Sequence, residues 1–300
     1  MIAYKEVRSI LNKHKKRDSW FLDDYSINPY EGCGFNCTYC YVHGSKYGEN
    51  LAEKIVIKKD AAAILDKQLA NRAKKNEFGF IAVGSATDGY MQVEEEIGLT
   101  KELLHVILKH RFPVFISTKS ELIKKDIDLL KQIDANAILP EDLKQNPGRG
   151  VIISFSFSTL DEKLAKQIEP GAPAPQRRME TLKLFSDNGF LCSVNAMPLL
   201  PFISDTEEEI EKIVAAAKQY GANYILIAGL TLFGNDVPIA IGSDNKQLVL
   251  KFLKNNYPDL LEKYEKMYGS TYYSSWQYQQ ELKKRGDILC EKYKIKNSIR

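Results

Sequence analysis

EGCGFNCTYCYVHG, residues 31–44, places Cys33, Cys37 and Cys40 within eight positions of a 300-residue chain that holds five cysteines. An odd number with three clustered fits a metal site in a reducing compartment better than a disulfide framework. Thiolate sulfur is a soft ligand that suits zinc and iron–sulfur clusters. A structural zinc ion wants four protein ligands, and His43 can complete a cramped Cys3His set. A cubane cluster held by three cysteines instead leaves one iron open, which suits substrate or cofactor chemistry. The residues of the loop alone leave both readings open.

Outward from the loop, short apolar runs alternate with longer amphipathic ones. DDYSIN (23–28) leads into the cysteines, and GFIAVGS (79–85), FPVFIST (112–118), GVIISFSFS (150–158), FLCSVNAMPLL (190–200) and NYILIAGL (223–230) read as strands. LTKELLHVILKH (99–110) repeats leucine and isoleucine at helical spacing, and ELIKKDIDLLKQI (121–133) is the next helix. ANAILPEDLKQNPGRG (135–150) is an irregular insert of turn formers. The helix after the fourth run splits at EPGAPAPQ (169–176), where three prolines and a glycine forbid continuity. DTEEEIEKIVAAAKQY (205–220) is a helix with Asp205 as N-cap and acids in its first turn.

Strands alternating with helices imply βα units on a parallel sheet. About six such units fit, and right-handed crossovers wind them into a partial (β/α)6 barrel of the TIM type, with an open doubly wound sheet as the competing architecture. The expected domains are an N-terminal helical segment (1–23), the core barrel (24–239) and a C-terminal helical extension (240–300).

With 44% hydrophobic and 27% charged residues, the composition is that of an ordinary soluble protein. A net charge of +3 permits a nucleic-acid partner without arguing for one. No stretch approaches a membrane span, and the N-terminus has no signal-peptide h-region, so no membrane association, a cytoplasmic location and a monomer are expected.

CGFNCTYCY resembles the C-x3-C-x2-C signature of radical S-adenosylmethionine enzymes, including the aromatic residue before the last cysteine. INPYEGC, SATDGYMQVEE, STKS and the stretch SFSFSTLDEKLAKQIEPGAPAPQRR resemble the spore photoproduct lyase-like branch, a group often labelled DNA repair photolyases. The resemblance runs from about residue 24 to 235. It implies that Cys33, Cys37 and Cys40 hold a [4Fe–4S] cluster whose fourth iron takes the amino and carboxylate groups of S-adenosylmethionine. It further implies a lyase-like enzyme in which reductive cleavage gives a 5′-deoxyadenosyl radical that abstracts hydrogen from a substrate, with an external electron donor of the flavodoxin or ferredoxin kind.

Carried over residue by residue, the resemblance gives a cofactor site. Ser85, Thr87 and Asp88, with Ala86, end the second strand and meet the cofactor's amino group. Lys119 ends the third and reads its carboxylate, a charge-assisted bond. Ser154 and Ser156 share a face of the fourth strand, with Ser156 the better match for a ribose or carboxylate contact. Tyr39 and Tyr41 flank Cys40 near adenine, and Asn195 and Met197 approach it from the fifth strand. No catalytic side chain is assigned.

The chain departs from spore photoproduct lyase at one point. That enzyme carries a further cysteine at the end of its second strand that returns hydrogen to the product radical; here the stretch is VGSATDGY, without a thiol. Photoproduct repair is thereby in doubt. A nucleic-acid substrate leads by analogy, a peptide or small molecule is the alternative, and a non-catalytic zinc or iron–sulfur module is the reading from a different class. Cys192 and Cys290 read as buried small hydrophobes. Tyr278, Leu282, Leu289 and Tyr293 share one helical face that packs on the barrel. The same tail mixes aromatic and basic residues (TYYSSWQYQQELKKRG), a composition able to stack bases.

Overall fold

The computed structural model describes residues 1–43, 53–233, 244–269 and 271–300. Three short strands, β1 (Ile2–Glu6), β2 (Asn12–Lys13) and β3 (Asp23–Ile27), are followed by β4 (Tyr30–Glu31) just before the cysteines and β5 (Ile55–Lys59) well after them. Helix and strand then alternate: α1 (Ala61–Lys74), β6 (Phe80–Val83), α2 (Glu94–Ile97), α3 (Leu99–His110), β7 (Val114–Thr118), α4 (Ile127–Asn136), β8 (Val151–Phe157), α5 (Glu162–Ile168), α6 (Pro175–Asp187), β9 (Leu191–Leu199), α7 (Glu207–Gln219) and β10 (Tyr224–Gly229). Helices α8 (Asn245–Asn256), α9 (Leu261–Tyr268) and α10 (Trp276–Tyr293) follow.

The main sheet has the order β10-β9-β8-β7-β6-β3-β2. Neighbours from β3 to β10 are parallel, and β2 adds an antiparallel edge. The fold is thus α/β with six parallel strands, as expected, but the ladder is open: β10 and β2 are its ends. The edge of β10 is covered by the chain after α10, where Ile225 N–H donates to the Lys296 carbonyl at 2.9 Å. Covering an edge in this way blocks pairing with another chain.

Strand alternation divides the sheet into two faces. One carries Ile81, Val114, Ile116, Val151, Ile153, Cys192, Val194 and Ile225, all buried in the main core. The other starts apolar, with Phe80, Phe115, Ile152 and Tyr224 in a second cluster. It then turns polar: Ser117, Ser154 and Ser193 stand in register across three strands.

Two expectations are corrected. Residues 1–23 contain no helix; β1 pairs in parallel with β5, and β4 pairs antiparallel with it, in a separate three-stranded sheet. The basic run has no apolar stripe at helical spacing, and most of β1 is exposed, so its partner fifty residues away decides its conformation. The N-cap of α7 is Thr206, whose hydroxyl accepts from Glu209 N–H, while Asp205 accepts from Phe202 N–H at 2.6 Å and from the Tyr278 hydroxyl. The helical extension is present, although its expected boundary at 239/240 lies outside the described residues. It is packed tightly: a Cβ on Gly286 would stand 2.9 Å from Ile227 Cδ1, so glycine lets α10 lie against β10. Leu282 and Leu289 are buried in the core, with Tyr278 and Tyr293 partly buried against it. No described helix is long and apolar enough to cross a membrane.

Candidate active site at the strand ends

The C-terminal ends of β6, β7, β8, β9 and β10 and the cysteine loop surround a cavity of about 390 Å³, within the range of ligand pockets. Of the residues singled out by the sequence for metal or cofactor, Cys33, Cys37, Cys40, Tyr39, Tyr41, Ser85, Ala86, Thr87, Asp88, Lys119 and Ser156 line it. Met197 lines it too.

The cysteine loop is a chain of tight turns. Asn36 N–H donates to Cys33 O, Cys40 N–H to Cys37 O, and His43 N–H to Cys40 O, at 3.0–3.2 Å. Asn36 takes the left-handed conformation that asparagine tolerates. The loop is braced by the segment 168–171: Thr38 N–H donates to Ile168 O at 2.9 Å and Gly171 N–H to Phe35 O at 3.1 Å. A Cβ on Gly171 would collide with the Gly34 carbonyl, so the glycine of the EPGAP stretch is there for close backbone approach. Burial raises the Cys33 thiol to about 11, with Asp88 adding to the rise, and raises Cys37 and Cys40 as well. Three soft donors, Cys37 buried and Cys33 and Cys40 half-buried, share one wall, and a bound metal would draw out their thiolates. Among the described residues, no three His, Cys, Asp or Glu side chains converge on a point as a single ion requires. His43 lies off the cavity, and its Nε2 meets the Cys37 carbonyl at 3.1 Å, where it can only donate.

Behind the loop lies a buried charge cluster. Glu169 and Arg178 are both about 1% exposed and pair at 2.5 Å. Arg178 also donates to the carbonyls of Pro173 and Ser156, at 2.8 and 3.0 Å. Glu169 accepts the Tyr39 hydroxyl and stands 4.0 Å from Lys119 Nζ. Burial alone would lift the Glu169 carboxyl, but Arg178, Lys119 and the Tyr39 hydroxyl outweigh it and hold it below the ordinary value. Burial likewise opposes charge on Lys119, and the neighbouring Cys37 and Glu169 outweigh it, so the ammonium is stabilised. The site therefore presents a fixed cation beside the thiols. Sequence reading singled out the EPGAP stretch without assigning Glu169 or Arg178. The signal available was an acid and a base flanking a segment too rich in proline to be helix.

The turn after β6 is organised by Asn28, which sequence reading missed. Its Oδ1 accepts from Ala86 N–H at 2.8 Å and Thr87 N–H at 3.3 Å, and its Nδ2 donates to Ser85 Oγ at 3.0 Å. Asp88 lies on the wall, but its carboxylate is engaged internally by the Thr118 hydroxyl, Lys119 N–H and Tyr90 N–H at 2.8–2.9 Å. It thus ties the end of β7 to the turn after β6. Tyr41 donates to the Ser85 carbonyl, bridging the cysteine loop to that turn. Ser156 Oγ meets Ser117 Oγ at 3.4 Å on the cavity floor.

Ser154 is a correction. It is fully buried, lies one layer below the floor, and accepts from Ser193 Oγ at 2.8 Å, so it does not reach the cavity. Sharing a face with Ser156 fixes its direction but not its depth. Asn195 is also buried beneath the lining. Cys192 and Cys290 are buried away from it, as expected, and burial pushes the Cys192 thiol up to about 12.

A profile described as the Radical SAM superfamily matches residues 27–217. An uncharacterised protein of Mycobacterium tuberculosis is 25% identical over 277 residues, covering 90% of this chain and 75% of its own. An uncharacterised protein of Methanocaldococcus jannaschii is 27% identical over 187 residues, covering 61% and 63%. Among solved structures, spore photoproduct lyase complexed with dinucleoside spore photoproduct superposes with a TM-score of 0.67 at 14% identity, covering 97% of this chain and 79% of that one. A variant of that lyase with bound AdoMet and the dinucleoside superposes at 0.64 and 15%. The open α/β fold is thus shared with that enzyme, and the profile match, which spans most of the sheet and the whole cysteine loop, shows that the chain belongs to the Radical SAM superfamily.

Proposed function

We propose that this protein is an enzyme that cleaves S-adenosylmethionine reductively at a [4Fe–4S] cluster held by Cys33, Cys37 and Cys40. The observation that carries the reading is the convergence of these three cysteines and Lys119 on one cavity at the C-terminal ends of parallel strands, where such folds bind ligands. When bound, the cluster and cofactor supply a one-electron cleavage and a 5′-deoxyadenosyl radical that abstracts hydrogen.

The chain's own residues prepare that chemistry. Lys119 offers its ammonium to the cofactor carboxylate, and Glu169, neutralised on its far side by Arg178, keeps that ammonium charged and placed. Tyr39 donates a hydrogen bond to Glu169 and stands as a fixed wall beside the sulfurs. Asn28 shapes the turn that offers Ser85 and Thr87 to the amino group, while Asp88 holds that turn against β7. Ser156 faces the ribose. Phe35, Met197, Pro198 and Leu230 make the remaining wall apolar and exclude water. We read the open sheet as a partial barrel, the protein as a monomer of the cytoplasm, and its electron donor as an external flavodoxin- or ferredoxin-like protein.

The substrate read from the likeness to a lyase that acts on a nucleic-acid photoproduct is nucleic acid. Ser85 and Ala86 occupy the cavity wall where that enzyme's extra cysteine is expected, which favours a reaction other than photoproduct reversal. The test is anaerobic reconstitution with iron and sulfide, reduction with S-adenosylmethionine, and quantification of 5′-deoxyadenosine in wild type and Cys37→Ala. Cysteine-dependent product is expected; a stable zinc site with neither cluster nor cleavage overturns the reading.

A further inference from the structure

The cysteine loop is braced by the strand–helix core, at residues 168–171 and at Ser85, and by one other residue outside that core. That residue is Asn245, the first residue of α8, which is fully buried. Its Nδ2 donates to the Tyr39 carbonyl at 3.1 Å and to the Thr231 carbonyl at 2.9 Å, and its Oδ1 accepts from Phe233 N–H at 2.8 Å. Thr231 lines the cavity beyond β10. One amide thus joins two walls of the cavity, the cysteine loop and the chain leaving the last strand.

We propose that Asn245 is a positioning residue for the cysteine loop, fixing the peptide between Tyr39 and Cys40 and thereby where the Cys40 sulfur stands. That peptide plane is gripped on both sides: its carbonyl by Asn245 and its N–H by the Cys37 carbonyl at 3.0 Å. A planar peptide held at both polar atoms cannot tilt. Hydrogen bonds in such a chain polarise one another. Only an amide side chain supplies two donors and an acceptor from one fork; an aspartate in the same shape would set acceptor against acceptor at Tyr39 and Thr231. Asparagine itself is held rigidly. Asp244 caps α8 by accepting from Gln247 N–H at 2.7 Å, and Lys246 Nζ donates to the Tyr268 and Gly269 carbonyls at 2.7 and 3.2 Å. The C-terminal extension is therefore part of the site. The consequence for the cluster rests on the function proposed above; the consequence for the loop does not.

The test compares wild type, Asn245→Asp, Asn245→Ala and Lys246→Met in the full chain. Lys246→Met loosens the same helix without touching Tyr39, so it reports what a merely structural role would do. In the iron-free proteins, amide hydrogen exchange over residues 36–42 is expected to accelerate about tenfold or more in both Asn245 variants and not in Lys246→Met. In the reconstituted proteins, the Asn245 variants are expected to hold iron about 10–100-fold more weakly, as for other outer-sphere partners of metal ligands. The cluster's EPR g-values and midpoint potential should shift as well. Exchange equal to wild type in both Asn245 variants, or equal acceleration in Lys246→Met, overturns the proposal. If wild type takes up no iron, the cluster reading fails while the exchange comparison still decides the role of Asn245.

Discussion

The inner face of the sheet begins and ends differently, although the same strands make both ends. Along β7 the inward side chains run Phe115, Ser117 and then, just past the strand, Lys119; along β8 they run Ile152, Ser154 and Ser156. The first layer is an apolar plug shared with Phe80 and Tyr224. The second holds the hydroxyls of Ser117, Ser154 and Ser193 in register, with Ser193 bonded to Ser154 and Ser117 bonded to Ser156, and the cavity opens from Ser117 outward. The beginning fixes the strands relative to one another, and the end uses the precision so obtained. This division matches that of parallel βα folds, where one end of the strands serves stability and the other chemistry.

Variants at the two ends should therefore fail in different ways. The largest effect is expected for Cys37→Ala, which should abolish 5′-deoxyadenosine formation while leaving the circular dichroism spectrum and melting temperature near those of wild type. Next comes Glu169→Gln, which leaves Arg178 uncompensated in the interior and should cost about 3–5 kcal/mol in a denaturant titration. Its pH dependence gives a sharper check. The Glu169 carboxyl is held below its ordinary value of 4.5. Its contribution is complete above that value and is lost as the pH falls through the depressed one. Wild-type stability should drop steeply on acidification below about pH 4.5, and the glutamine variant should show a shallower drop.

Lys119→Met should weaken S-adenosylmethionine binding about 10–100-fold, the worth of one hydrogen bond to a charged group, read by anaerobic calorimetry, with little change in melting temperature. The smallest effect on the site belongs to the other end. Asp134 accepts from Gly150 and Val151 N–H at 2.7 and 2.9 Å and pairs with Arg149, all at the start of β8. Asp134→Ala should cost about 1–3 kcal/mol of stability with cofactor affinity unchanged. Equal losses of affinity in Lys119→Met and Asp134→Ala would break the distinction between the two ends.

Much of this is legible in the sequence. The short apolar runs FPVFIST and GVIISFSFS located the strands, because a strand buried on both sides reads as a continuous apolar stretch, and the alternate serines of the second located the hydroxyl face. The cysteine spacing located the site. What was not legible depends on partners distant in sequence. β1 has exposed, mixed residues and owes its conformation to β5. Ser154 and Ser156 differ only in depth, which is set by where each neighbouring strand ends. Asn28 and Asn245 are single asparagines, and nothing local separates an amide that organises backbone distant in sequence from a surface turn former. Glu169 and Arg178 carry charge, which usually means solvent; their burial follows from the proline-rich segment folding back onto the cysteine loop.

The bond between Asn245 and Tyr39 spans 206 residues of chain. A ribosome adding about 5–20 residues per second needs on the order of 10–40 s to travel that far. For most of that interval the three thiols are already outside the tunnel, yet the residue that locks their loop has not been made. The cysteine loop is born early and finished last. On the function proposed above, iron delivered to the nascent chain would meet a loose, oxidisable triad, and iron delivered after release would meet a finished one. The position of a single asparagine late in the chain thus makes the final geometry of an early loop wait on the synthesis of most of the chain.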